Sequence, residues 1–205
     1  YYDKAAAGDF ERLFGGLYIG QHPTPLRNHY QVLYLDFSQI GGSISTLEVN
    51  FEEYCALSLD DFMRRYRDDY PADVVKAVFD IPTYSGKLKL IVDNAKSLQI
   101  PLYLIIDEYD NFTNVVLNEQ GEEVYHAITH ADGFYRDLFK KFKGNFERIF
   151  LTGVSPVTRD DLTSGFNIGL NASTRPELDK MRGFSTADVR DMFLYYKSVR
   201  MLPAN

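Results

Sequence analysis

Leu102-Tyr103-Leu104-Ile105-Ile106-Asp107-Glu108-Tyr109-Asp110 sets three carboxylates within four positions at the end of an uninterrupted apolar run. Such a run, stopped abruptly by acids, reads as a buried strand with a polar carboxyl end. The first chemistry that fits is a hydrated metal. Mg²⁺ keeps most of its waters and needs only one or two carboxylates plus phosphate oxygens. Asp107 then holds a metal water, and Glu108 orients or deprotonates an attacking water. The second reading is a solvated acidic turn with no ligand. A third, direct Mg²⁺-dependent phosphodiester cleavage by Asp107, Glu108 and Asp110, needs a second carboxylate cluster, for which Asp36 is the candidate.

Two further strand ends carry polar groups. Val32-Leu33-Tyr34-Leu35 runs into Asp36-Phe37-Ser38, and residues 148–153 end in Thr152-Gly153. In an open parallel sheet, ligands collect at the carboxyl ends of strands. Neighbouring strands lie about 4.8 Å apart, so the Thr152 hydroxyl would share a water or phosphate oxygen with Asp107 if their strands are neighbours. A nucleotide site of this kind also needs a phosphate cradle, G-x-x-x-x-G-K followed by Ser or Thr. Gly86-Lys87 fails as that motif: Leu88 follows, Ile81 stands where the first glycine belongs, and the pair opens a helix with no strand before it. Glu122, His126 and His130 share a helix face at spacings of four, a metal pair with a carboxylate or simply surface residues. Ser155 has no visible histidine partner and precedes Pro156, which argues against a nucleophilic serine.

The elements that must position these groups follow from periodicity. Residues 1–7 read as the last turns of a helix, and residues 15–28 as a Gly/Pro-rich connection. Helices are expected over 50–70, after Pro71, through the face Leu88, Ile91, Val92, Ala95 and Leu98, and over 133–143. The strand 102–107 is apolar without alternation, as a parallel strand covered on both faces would be. Ser185, with Asp188 three residues on, caps a last helix whose apolar face is Val189, Met192, Phe193 and Tyr196. Strands separated by helices imply crossovers, hence an α/β fold with a parallel sheet and flanking helices.

Length and composition bound the rest. The 205 residues suggest one domain, with 45% hydrophobic and 25% charged residues. Net charge is −7 and no basic block appears, which disfavours a nucleic-acid surface. The nearest candidate, Arg136 with Lys140, Lys141 and Lys143, reads as a polar helix face. Cys55 is the only cysteine, which rules out a disulfide framework and a Cys-based zinc site. No apolar run approaches 18 residues and no signal peptide opens the chain, so the expected setting is cytoplasmic with no membrane partner. Tyr1-Tyr2-Asp3-Lys4 lacks an initiating Met, and the chain is expected to be a fragment of something longer.

Taken in order, "YYDKAAAGDFERLFGGLYIG", "NHYQVLYLDFSQI", "LYLIIDEYDNF", "RIFLTGVSPVTRDDLTSGFNIGLN" and "RGFSTADV" resemble the bacterial AAA-ATPase-like family. That family comprises predicted P-loop ATPases, often joined to a C-terminal PD-(D/E)XK nuclease-like domain. The resemblance implies that residues 102–110 are a Walker B segment, with Asp107 the Mg²⁺-associated residue and Glu108 the water-activating one. It places Thr152 at the sensor position of strand 148–153. Arg159, the nearest cation to that strand, becomes a phosphate contact or else a surface arginine. Ser164-Gly165-Phe166-Asn167-Ile168 matches a family signature of unassigned chemistry. The implied domain, residues 1–205, is a truncated P-loop NTPase-like fold without its phosphate-loop strand, Walker A motif or nuclease-like domain. The intact protein is expected to bind, and to hydrolyse or switch on, Mg·ATP, with the fragment itself inactive. An incomplete sheet of this kind also invites self-association or a protein partner. The alternative is a non-enzymatic interaction or scaffold module with an acidic loop.

Overall fold

The computed structural model describes residues 1–111, 116, 121, 123, 125–126, 133–154, 172–173, 175–178 and 184–199. The chain divides into two compact units, Tyr1–Asn167 and Ile168–Asn205. In the first, the elements are α1 (Phe10–Phe14), α2 (Tyr18–Gln21), β1 (Gln31–Asp36), α3 (Ile44–Tyr66), α4 (Ala72–Asp80), α5 (Tyr84–Ser97), β2 (Leu102–Asp107), α6 (Phe134–Phe142) and β3 (Arg148–Leu151). The second unit contains α7 (Thr186–Ser198), which opens with the capping box expected of Ser185 and Asp188. Its apolar residues Val189, Met192, Phe193 and Tyr196 are all exposed.

The three strands form one parallel sheet in the order β1-β2-β3. The α/β architecture with flanking helices read from periodicity is therefore the observed one. Asp36 pairs in register with Asp107, and Ile106 with Leu151, so all three polar strand ends lie along one border. Alternation splits the sheet into two unlike faces. Gln31, Leu33, Leu35, Leu102, Leu104 and Ile106 are buried. The leucines and Ile106 join a core with Phe51, Leu59 and Met63 of α3, Leu88, Ile91 and Val92 of α5, and Leu138, Phe139 and Phe142 of α6. The opposite face carries Tyr34, Tyr103, Ile105, Asp107, Arg148 and Phe150, all half-buried or exposed. The expectation that β2 is covered on both faces is thus corrected: one face is sealed and the other is partly open. Tyr34, Asp107 and Arg148 explain the difference, since a face that includes them does not bury as cheaply as the leucine face.

Residues 1–7 also differ from their expected helical form. The Tyr1 and Tyr2 carbonyls accept the N–H groups of Asn28 (3.0 Å) and Tyr30 (2.9 Å), and Asp3 forms a parallel bridge to Tyr30. Only Lys4–Asp9 is helical, as a 3-10 helix, because the Asp3 side chain accepts the Ala5 N–H and starts it there. Pro71 stands at the N-cap of α4, one position before the helical site expected for it.

Beyond the bridge at Tyr30, side chains of α3 take up outer-edge donors of β1. The Val32 N–H donates to the Tyr66 hydroxyl (2.9 Å) and the Asp36 N–H to the Tyr54 hydroxyl (2.7 Å). Both tyrosines belong to α3, so the same contacts satisfy edge donors and fix this helix along the strand.

Candidate functional site

The carboxyl ends of β2 and β3 build the candidate site. Thr152 directly follows β3, and its N–H donates to the Ile106 carbonyl (2.9 Å) while its own carbonyl accepts the Tyr109 N–H (3.0 Å). These two bonds bring its hydroxyl to Asp107, where it donates to Oδ1. The two groups expected to share a water or phosphate oxygen are themselves directly bonded. The Glu108 N–H donates to the same oxygen (3.1 Å), and the Tyr34 hydroxyl donates to Asp107 Oδ2 (3.1 Å).

The three acids of the segment have three different fates. Asp107 is half-buried at the strand end and held from three directions. Glu108 sits in the left-handed region at φ +53°, a conformation that costs a non-glycine residue of order 1 kcal/mol or more. Its carboxylate has no hydrogen-bond partner among the described residues. Asp110 is fully buried, and its Oδ1 accepts the Val154 N–H (3.1 Å), which ties the acidic turn to the chain after β3. The Tyr135 hydroxyl, itself buried, donates to the Tyr109 carbonyl from beneath.

Among the described residues this division sets Asp110 and Asp36 to tasks other than joining Asp107 and Glu108. Asp110 is committed to the backbone of Val154. Asp36 accepts from the Ser38 N–H (3.0 Å), the Ser38 hydroxyl (2.6 Å) and Gln39 Nε2 (2.9 Å), which together lower its pKa from the ordinary carboxylate range. Among the described residues, no three His, Cys, Asp or Glu side chains converge as a metal centre. The donor set instead suits a hydrated cation. An ionised carboxylate offers about four acceptor positions, and three on Asp107 are taken, leaving one on Oδ2 open.

Gly153 is required by this packing. A Cβ there would lie 2.5 and 2.7 Å from two carbons of the buried Tyr109 ring, and closer still to Asp110 Oδ1. Neither group has room to retreat. Gly153→Ala is expected to destabilise the fold by about 1–3 kcal/mol through forced displacement of the acidic turn. Chemical denaturation monitored by circular dichroism checks this.

The other sequence candidates fall elsewhere. Lys87, of the failed Gly-Lys motif, is buried with its Nζ 2.5 Å from Asp60 Oδ1 and 2.8 Å from the Val78 carbonyl. Its role is to join α5 to α3 and α4. In α6, Lys141 pairs with Asp137, while Tyr135, Leu138, Phe139 and Phe142 form the buried face. Arg159, Ser155, Glu122, His130 and residues 164–168 lie outside the described residues. Burial pushes the Cys55 thiol pKa up, which leaves that side chain protonated and inert. Sequence reasoning missed Tyr34. The available signal was strand alternation, which sets Tyr34 on the same face as Asp36 and therefore, by register, on the face of Asp107.

A family model described as "Predicted AAA-ATPase" matches residues 1–163. The chain belongs to the AAA-ATPase-like family. No curated protein and no solved structure matches it. Membership in the AAA-ATPase-like family implies nucleotide binding in general terms, and the matched stretch contains Asp107, Glu108, Thr152 and Arg159. The parallel sheet with flanking helices is consistent with an AAA-ATPase-like domain of the P-loop NTPase type, lacking a phosphate-loop strand among the described residues. No helix among those residues is long and apolar enough to cross a membrane.

Proposed function

We propose that this AAA-ATPase-like domain supplies the metal-facing and water-facing side of a Mg·ATP site. The observation that carries the reading is the bond from the Thr152 hydroxyl to Asp107, made at the carboxyl ends of two adjacent parallel strands. Beside it stands Glu108, its carboxylate without a hydrogen-bond partner among the described residues and its backbone in a left-handed conformation. Mg²⁺ bound with nucleotide supplies charge neutralisation at the phosphate oxygens. Asp107 offers a fixed acceptor with one open position, which fits the outer waters of that ion. Glu108 orients or deprotonates the attacking water. Thr152 reads the state of Asp107 through their shared bond, and Arg159 contacts phosphate. The setting is cytoplasmic, and this segment has no nucleic-acid role. A second reading, a module that binds a protein partner or a second copy of itself, is favoured by the exposed apolar residues of α7.

Calorimetry separates these readings. Mg·ATP binding is measured on the 205-residue chain and on the full-length product of its gene. Binding by the full-length protein, with heat lost when Asp107→Ala is introduced, supports the nucleotide site. No binding by either form removes the site and leaves the partner-binding module.

A further inference from the structure

We propose that Tyr34 is a positioning residue for Asp107, fixing the rotamer of its carboxylate and setting the single direction left open for a hydrated cation. The inference rests on the Mg·ATP reading above. Its geometric basis is the Tyr34 hydroxyl, 3.1 Å from Asp107 Oδ2. Tyr34 pairs in register with Ile105, so its ring reaches forward across β2 to the residue two positions on. The residue is 52% exposed, which makes core packing a poor explanation for its presence. Thr152 and the Glu108 N–H hold Oδ1 alone, and a carboxylate held at one oxygen still swings about its Cβ–Cγ bond. Tyr34 removes that freedom by holding the second oxygen.

The neighbouring Tyr54 hydroxyl serves the strand edge instead, accepting the Asp36 N–H (2.7 Å). Ligand-holding groups oriented by a neighbour such as Tyr34 lose on the order of tenfold or more in metal affinity when the neighbour is removed.

Calorimetry on the full-length protein, comparing Mg·ATP with metal-free ATP, tests the proposal. Tyr34→Phe is expected to weaken the first by about tenfold, with the second and the melting temperature unchanged. Equal loss of both affinities together with a lower melting temperature shows a structural role only and overturns it. Wild-type binding matched by Tyr34→Phe overturns this proposal alone. No Mg·ATP binding by the wild type overturns the nucleotide reading and this proposal with it.

Discussion

Glu108→Gln in the full-length protein is expected to reduce ATP turnover by at least about 100-fold, the scale lost when a positioned proton acceptor is removed. Mg·ATP affinity should stay within about threefold, since the substitution preserves shape and an acceptor oxygen. The argument starts from conformation. A glutamate at φ +53° is held in a region that favours glycine, and the turn bonds around it, Glu108 N–H to Asp107 and Asn111 N–H to the Glu108 carbonyl (3.0 Å), enforce it. Such a residue forms no stabilising side-chain bond among the described residues, so packing alone does not account for its carboxylate. Phosphate release measured beside calorimetry decides the matter, and unchanged hydrolysis would remove the role given to Glu108. Glu108→Gly supplies the complementary measurement: relief of the strained backbone is expected to stabilise the fold by about 1 kcal/mol while activity is lost. A gain in stability at the expense of turnover is the signature of a residue retained for chemistry.

The second large effect lies away from the site. Lys87→Met is expected to cost about 3 kcal/mol of stability. The Lys87 side chain is 4% exposed and Asp60 only 16%, so removing the ammonium leaves a carboxylate that water reaches poorly. The Val78 carbonyl loses its donor at the same time. Adding Asp60→Leu should recover part of the loss, because replacing both members of a buried pair by apolar groups costs less than removing one. Urea denaturation of the two single variants and the double variant measures the coupling. A Lys87→Met protein within about 0.5 kcal/mol of wild type, the range usual for surface changes, would show that the pair contributes little.

Much of this architecture was legible because it depends on local patterns. The apolar run before Asp107 and the shorter one before Thr152 sufficed for two strands. Ser185 with Asp188 sufficed for a capped helix. What was not legible depends on partners distant in sequence. Residues 1–7 contain a run of alanines and read as helix, but Tyr1, Tyr2 and Asp3 are claimed by Asn28 and Tyr30, a contact no window of local sequence contains. The unequal covering of the sheet was hidden for the same reason, since the apolar run of β2 looks alike from either side. At the site, the sequence grouped Asp107, Glu108 and Asp110 as equals. The fold separates them: one acid is held at a strand end, one is strained and unpartnered among the described residues, and one is buried on Val154. Tyr34 escaped notice because its meaning comes from register with a strand some seventy residues later.

The tyrosine hydroxyls along β1 have a consequence for assembly. A strand approaching that border would need the outward N–H groups of Val32, Tyr34 and Asp36, and those of Val32 and Asp36 are already engaged. Extension of the sheet from this side would first require α3 to let go. Among the described residues β3 is paired on one side only. A strand from elsewhere that approached β1 would meet a border whose donors are already spent. Phenylalanine at Tyr54 and Tyr66 together would take away both of these acceptors, at the further cost of the bond from Tyr66 to Asp3 (2.7 Å), while α3 would still lie along the border.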